Sequence, residues 1–321
     1  MLFDPGWDRL LCQSCGYKEV IPELVSKIPV PECDFNSALT YASHDWDMET
    51  AVFHCSQCNG EIISNKLLLS GSCPFCGSVS LIPAEPEKDL LAPNGIIPFK
   101  IREIRAVNIY KDWIKEKFAA PDKLPQLASL NKFTGIYVPF FTFDTLTRNQ
   151  YTGNVEYISR NSEGTLQSCY QQRAGAFEKF IDDFPVVASK LIASDRMLVS
   201  VMKYHTSEAK PYAPDALSGF PAEHHSVGLA EAWGRAMHDM ERYIKNDAAL
   251  KEGADAGDKL HISTQYFNVT YKYLLVPVWI SSFTYENRLY SIVINGQTGE
   301  IAGQWPKSFG AFLKSMFGHM F

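Results

Sequence analysis

Four cysteines near residue 60 have the spacing of metal ligands. They form two C-x2-C pairs separated by fourteen residues, namely Cys55, Cys58, Cys73 and Cys76. Each pair supplies two thiolates from one tight turn, and four thiolates match the tetrahedral coordination of Zn²⁺. Such a site leaves no open position for water or substrate, so its metal is structural rather than catalytic. Disulfides are the alternative, but they are typical of exported proteins. The spacing therefore predicts a zinc ribbon.

A third C-x2-C pair, Cys12 and Cys15, lies near the start of the sequence and has no matching pair. Two thiolates cannot complete a tetrahedral site. The missing ligands would come from Cys33, from His44 or His54, from another chain, or from residues absent from this sequence. We favour the last source, because the segment resembles the second half of a ribbon. We therefore expect one structural zinc ion per chain, and we treat Cys12 and Cys15 as a second, incomplete site.

Other residues with catalytic side chains stand alone in the sequence. Cys169 has no nucleophile motif around it, and a lone cysteine is usually a small buried residue. His224 and His225 precede a predicted helix, where surface or capping roles are expected. His238 has Arg242 four residues later instead of a second metal ligand. No catalytic or cofactor-binding residue is predicted, and we expect the protein not to be an enzyme.

The composition is that of a folded globular protein. The 321 residues are 46% hydrophobic and 13% aromatic, which is enough for a sizeable core and for two or three domains. The 30 Lys and Arg against 36 Asp and Glu give a net charge of -6, so there is no basic excess for binding phosphates. No signal-peptide run and no stretch of about 18 apolar residues occurs. We therefore expect a cytoplasmic protein in a reducing compartment.

A proline-rich segment after the cysteine quartet marks the main predicted domain boundary. The predicted regions are an incomplete ribbon half with a connecting segment (1–45), the zinc ribbon (46–83), a Pro-rich linker (84–99), an α+β domain (100–305) and an amphipathic tail (306–321).

Periodicity predicts two main helices and several antiparallel strands in the α+β domain. Apolar residues at helical spacing predict one helix over 101–118 and another that begins at Ser226 as its N-cap. The aromatic run GIYVPFFTFD predicts a buried strand, and 274–303 predicts a three-stranded meander. Because proline lacks an N–H donor, Pro139 and Pro277 should lie at a sheet edge or at a bulge. The predicted fold class is α+β, with a small four-cysteine zinc ribbon followed by antiparallel hairpins, a meander and two main helices.

The tail has the pattern of an amphipathic helix. Trp305, Phe309, Phe312 and Met316 recur at steps of four, three and four residues. Such a stripe suits an anionic membrane surface. Packing onto its own domain, or onto a second copy in a homo-oligomer, is the alternative.

The order of these motifs resembles that of the bacterial TFIIB-type zinc-ribbon proteins. A half ribbon and a full ribbon ending in CPFCG are followed by IIPFKI, GIYVPFFTFD, PYAPDALSGF, LLVPVWIS and VINGQTGEIAGQWP. The resemblance covers nearly the whole chain. Members are often labelled by similarity as primosomal protein N′ or helicase-like, but this sequence contains no G-x-x-x-x-G-K-[ST] phosphate loop.

The resemblance implies an adaptor rather than an enzyme. Some members are encoded beside phage-shock and stomatin-like membrane proteins, which implies a role at the inner membrane, and many continue into transmembrane helices that this sequence lacks. We therefore expect a zinc-ribbon scaffold that contacts other proteins and is peripheral at the inner membrane. The alternative is a nucleic-acid-binding accessory factor that uses the ribbon. Glu61 and Lys66 are the only formally charged residues between Ala51 and Pro83, which argues against binding to phosphates.

Overall fold

The structure, a computed structural model, describes residues 1–41, 46, 50–65, 72–84, 91–118, 120–121, 124, 133–193 and 199–307. Within these residues the fold is α+β, as predicted. A small antiparallel sheet of three strands lies at the N-terminus, and a large mixed sheet contains twelve strands.

The described strands follow one another in the order β1 (Leu2–Phe3), β2 (Arg9–Leu11), β3 (Lys18–Val20), β4 (Cys33–Asp34), β5 (Thr50–Cys55), β6 (Glu61–Asn65), β7 (Leu81–Ala84), β8 (Gly95–Ile96), β9 (Thr134–Arg160), β10 (Leu166–Val187), β11 (Lys210–Pro211), β12 (Ala222–Glu223), β13 (Ala256–Tyr285), β14 (Arg288–Asn295) and β15 (Ile301–Gly303). The described α-helices are α1 (Pro22–Val25), α2 (Phe35–Tyr41), α3 (Glu103–Lys115), α4 (Lys190–Ala193) and α5 (Leu229–Lys251).

Three long strands form the centre of the large sheet. β9 pairs antiparallel with β10 on one side and with β13 on the other. The predicted buried strand is confirmed, because Phe140, Phe141 and Phe143 of β9 are at most 1% exposed. Aromatic and β-branched residues suit such a strand because they pack well on a pleated surface.

Two prolines lie in these central strands, and the prediction that they mark an edge or a bulge was wrong. The partner of β9 changes at Pro139, from β12 opposite Tyr137 to β10 opposite Phe140. The partner of β13 likewise changes at Pro277, from β8 to β14. Each proline therefore lies at a gap between two neighbouring strands, where the absence of an N–H donor removes no ladder bond.

Both predicted main helices are present. α3 covers the middle of its predicted range, and α5 packs on β9 and β13 through Trp233, whose ring centroid lies 5.3 Å from that of Phe143 and 5.2 Å from that of Tyr266. The expected N-cap was wrong, because the residue before α5 is Gly228. Ser226 instead accepts a hydrogen bond from the backbone N–H of Lys190 through its hydroxyl, at 2.7 Å.

The predicted meander is confirmed as the end of β13 followed by β14 and β15. Glu286 and Asn287 form the first turn with φ angles of 48° and 61°, the conformation of a two-residue hairpin turn. Asn295 shapes the second turn, since its side-chain oxygen accepts hydrogen bonds from the N–H groups of Gln297 and Thr298.

Of the predicted linker, 84–99, the structure describes Ala84, which ends β7, and 91–99, which belongs to the body of the protein. β8 lies between β11 and β13 in the large sheet, and Ile96, Ile97 and Phe99 are at most 1% exposed. The predicted domain boundaries remain predictions.

Of the predicted tail, only the beginning is described. Trp305 packs edge-on against Trp113, with 5.5 Å between ring centroids, and its Nε1–H donates to the backbone oxygen of Phe118. Phe309, Phe312 and Met316 lie outside the described residues. Among the helices of the described chain, none combines the length and apolarity needed to cross a membrane.

Candidate metal centre

The cysteine quartet predicted from the sequence is assembled by two turns of the segment that contains β5, β6 and β7, which is called the ribbon below. Cys55 ends β5 and Cys58 follows in the turn to β6, whereas Cys73 and Cys76 lie in the turn before β7. All four sulfur atoms lie within 4.8 Å of one another. The Sγ atoms of Cys55 and Cys76 are 3.7 Å apart, and those of Cys58 and Cys73 are 3.6 Å apart. Four sulfurs at a Zn–S distance of about 2.3 Å would be about 3.8 Å apart. The four thiols could hold a metal ion.

The quartet is enclosed by apolar side chains. Cys55 is fully buried and Cys73 is 1% exposed, and Ile62 packs against both. Burial raises the pKa of the Cys58 thiol to about 11 and also raises the pKa of Cys73. At Cys55 burial acts in the same direction, but hydrogen bonds from the N–H groups of Cys58 and Gln57 and from the Cys76 and Cys58 thiols together outweigh it and lower the pKa to about 7. A cation would supply the remaining charge needed to keep all four cysteines as thiolates.

The ribbon is joined to the large sheet by main-chain and side-chain contacts. β6 pairs with β12, which itself pairs with β9 of the central strands. The Ser282 hydroxyl on β13 donates to the backbone oxygen of Phe75 at 3.0 Å. A Cβ at Gly60 would lie 3.0 Å from the Phe75 ring and 3.1 Å from Leu191 of α4, so glycine allows a close approach that a larger residue would push apart.

The second, incomplete site stays incomplete within the described residues. Cys12 is half-buried, Cys15 is exposed, and neither forms a disulfide. Neither belongs to a group of three or more candidate ligands within 4.8 Å. Cys33 is held elsewhere, because its sulfur accepts a hydrogen bond from the Asn94 side chain at 3.2 Å. His54 faces Glu61 at 4.0 Å, and position 44 lies outside the described residues.

Sequence reasoning missed a buried polar group between the ribbon and the body. His224 is only 6% exposed, which corrects its expected surface or capping role, and its Nδ1 lies 3.1 Å from a carboxylate oxygen of Glu61. Glu223 is 1% exposed and accepts a hydrogen bond from the Ser189 hydroxyl at 2.7 Å. Within the described chain, Glu223 Oε2 and His224 Nε2 have no hydrogen-bond partner.

Burial changes the acid–base behaviour of both residues. It raises the pKa of Glu223 to about 8, against an ordinary value of 4.5, although the Ser189 hydroxyl acts in the opposite direction. It lowers the pKa of His224 to about 4. Both effects disfavour the charged form, so at neutral pH Glu223 is largely protonated and His224 is neutral.

A second group of candidate ligands contains only carboxylates. Glu32, Asp144 and Asp183 lie within 4.8 Å of one another. The ammonium group of Lys272 already forms ion pairs with Glu32 and Asp183. A β-bulge, at which Asp183 has a φ of 47°, places its backbone N–H 2.7 Å from a carboxylate oxygen of Asp144. The Lys272 ammonium group already pairs with two of the three carboxylates, and we assign no metal to this group.

Cys169 does not have the expected buried environment. It is exposed on β10, where its sulfur lies 3.7 Å from the Ser159 hydroxyl. This end of the β9–β10 hairpin extends from the body, so both faces of β10 from Leu166 to Gln172 are exposed.

Comparison with known proteins assigns no activity to the chain. No family model matches it, and no solved structure matches it. It is similar to an uncharacterized protein, YdjG, of Bacillus subtilis (strain 168), with 29% identity over 227 residues. The similarity covers 68% of this chain and 65% of the relative, so the chain spans less than two thirds of that protein's length.

Proposed function

We propose that the protein is a non-enzymatic adaptor whose ribbon holds a structural zinc ion and presents a surface to other proteins. The observation that carries this proposal is the quartet itself: four sulfurs at tetrahedral spacing, two of them buried, at the end of a ribbon paired with the main sheet. A site closed by four thiolates leaves no position for substrate, so its metal would stabilise the ribbon rather than catalyse a reaction.

The surface of the ribbon favours a protein partner over a nucleic acid. Val79 and Ile82 beside the second turn are 81% and 54% exposed. Four thiolates around Zn²⁺ carry a formal charge of about -2, and binding to phosphates requires a positive surface. Exposed apolar side chains are typical of contacts between proteins.

Zinc content tests the first half of this proposal. Metal analysis of protein purified without added metal should show that Cys73→Ser loses one equivalent of zinc relative to the wild type. Cys169→Ser is the matched control, because it removes an exposed thiol far from the quartet, and it should keep all its zinc. Equal zinc content in the two variants would contradict the metal assignment.

Co-purification tests the second half. The tagged protein and its Val79→Asp, Ile82→Asp double variant are purified from native cells, and the bound proteins are quantified by mass spectrometry. We expect a specific set of proteins to be lost from the double variant. Ile158→Asp, at a 53% exposed apolar position on the β9–β10 hairpin, is the matched control and should keep them. If neither change alters the bound proteins, the ribbon is not the contact surface.

We also propose that the adaptor acts in the cytoplasm at the surface of the inner membrane. The support is the spacing of Phe309, Phe312 and Met316 in the tail, which would form one face of a helix. Trp305, which the sequence placed on the same face, packs on Trp113 of the body instead. About 17 residues bind a bilayer weakly without a second anchor, so a protein partner would reinforce the attachment.

A further inference from the structure

The Cys12–Cys15 turn has the same backbone geometry as the two turns of the quartet. In all three, the N–H of the residue after the second cysteine donates to the backbone oxygen of the first cysteine. The N–H of the first cysteine donates to the backbone oxygen of the residue two positions after the second cysteine. The bonds to the cysteine oxygens are Gly16 to Cys12 (3.0 Å), Asn59 to Cys55 (2.8 Å) and Gly77 to Cys73 (2.8 Å). The bonds from the cysteine N–H groups are Cys12 to Tyr17 (2.8 Å), Cys55 to Gly60 (2.9 Å) and Cys73 to Ser78 (2.7 Å).

The residue that closes each turn also has a positive φ angle. The values are 75° at Gly16, 59° at Asn59 and 73° at Gly77. This left-handed conformation suits glycine and asparagine. The Cys12–Cys15 turn is therefore a complete metal-binding turn in its backbone.

Both sulfurs of this turn are available at the surface. The turn joins β2 to β3 at one end of the small sheet, with Cys15 exposed and Cys12 half-buried. The backbone N–H groups of Cys15 and Ser14 point at the Cys12 sulfur.

Nothing else in the described chain completes the coordination. No further Cys, His, Asp or Glu joins Cys12 and Cys15 within 4.8 Å there. Two thiolates hold Zn²⁺ weakly, whereas four enclose it. The missing ligands must therefore be thiolates or imidazoles that can reach an exposed turn.

We propose that Cys12 and Cys15 form half of an intermolecular Zn²⁺ site that the same two cysteines of a second copy complete. A two-fold axis through the metal would supply four thiolates from two identical turns, and such two-fold interfaces are the commonest in homo-oligomers. Trp7, Tyr17 and Val20 of the small sheet are 54%, 61% and 58% exposed, and a second copy docked on this sheet would cover them. Lys18, paired with Leu11 beside the turn, would bring one positive charge per copy to a site of formal charge about -2.

The test combines zinc content with molar mass. The full chain, in a reductant that prevents disulfides, is measured by light scattering and metal analysis before and after a mild chelator. We expect a dimer with about 1.5 zinc ions per chain, one in the quartet and half of a shared ion. The Cys12→Ser, Cys15→Ser double variant should be a monomer with about one zinc ion per chain. Cys169→Ser should behave like the wild type.

Three outcomes would overturn the inference. A monomer with one zinc ion per chain would show that the turn binds no metal. A monomer with two would show that its ligands come from the same chain. A dimer that persists in the double variant would show that the interface does not depend on zinc. Retention of the quartet zinc in the double variant shows that it is folded, so these outcomes are distinguishable from failure of the proposed ribbon function.

Discussion

Replacement of Glu223 by glutamine should change how the stability of the protein depends on pH. The buried carboxyl has a folded pKa of about 8 against an ordinary value of 4.5. Between these two values the folded protein keeps a proton that the unfolded chain releases. The wild type should therefore lose stability as pH rises from about 4.5 to 8 and should change no further above 8 through this group.

The size of the effect follows from the pKa difference. Each pKa unit corresponds to about 1.4 kcal/mol. Through this group the free energy of unfolding of the wild type should be lower than below pH 4.5 by about 2 kcal/mol at pH 6 and by about 5 kcal/mol above pH 8. A glutamine has nearly the same shape and no charge, and its oxygen can still accept from the Ser189 hydroxyl. The stability of Glu223→Gln relative to the wild type should therefore increase by this amount across the range.

Urea denaturation from pH 5 to pH 9 at constant free zinc measures this difference. Protonation of the quartet affects both proteins equally, so it cancels when the two curves are subtracted. Glu178→Gln, which removes a 58% exposed carboxylate paired with Arg148, is the matched control and should show little pH-dependent difference. If the curves for Glu223→Gln and the wild type stay parallel, the carboxyl does not remain protonated in the folded protein and the reasoning is refuted.

Four further predictions concern other parts of the molecule. Lys272→Met should lower the free energy of unfolding by about 1 to 3 kcal/mol, because it leaves the half-buried Asp183 and the more exposed Glu32 without their counter-charge, as measured by urea denaturation. Gly153→Ala should lower it by about 1 to 3 kcal/mol, since φ is 140° there and the new Cβ would lie 2.4 Å from the backbone oxygen of Lys259. Fluorescence anisotropy should detect no sequence-independent binding to DNA at physiological salt, because the net charge of -6 provides no basic excess to bind phosphates. Micromolar binding with a steep salt dependence would contradict this prediction. Anionic liposomes should sediment the full chain but not a variant lacking 309–321; absence of binding by the intact chain would contradict the membrane proposal.

Two controls separate these specific effects on stability from non-specific destabilisation of the fold. Adding Asp183→Asn to Lys272→Met should restore part of the lost stability, because it removes one of the uncompensated charges that the loss of the lysine leaves behind. Gly234→Ala in α5, where a Cβ meets nothing within 4 Å, should stabilise the helix by about 1 kcal/mol. Equal losses from Gly153→Ala and Gly234→Ala would rule out the steric explanation.

The sequence was informative where local pattern decides structure. The spacing of the four cysteines predicted their clustering, and the aromatic run of β9 predicted its burial, because both depend on residues close together in the chain. Helical periodicity located α3 and α5 for the same reason.

Features that depend on distant pairing could not be predicted. Glu223 is buried because the two-residue strand β12 is inserted between β6 and β9, and nothing in the residues around it indicates that position. The gaps beside Pro139 and Pro277 likewise depend on where neighbouring strands end. The ion pairs of Lys272 join residues separated by about 90 to 240 positions, so no local signal could reveal them.

The pairing of β6 with β12 also has a consequence for synthesis of the protein. Ile63 pairs with Ala222, so the edge of the ribbon has no partner until about 160 further residues have been made. At a translation rate of roughly 5 to 20 residues per second, this strand edge stays unpaired for on the order of 8 to 30 seconds during synthesis. A metal ion can bind the quartet during that interval, because all four cysteines are made well before β12. We therefore expect nascent chains to aggregate more readily in zinc-starved cells than mature chains do when zinc is withdrawn later, because in the mature protein β12 already covers the edge.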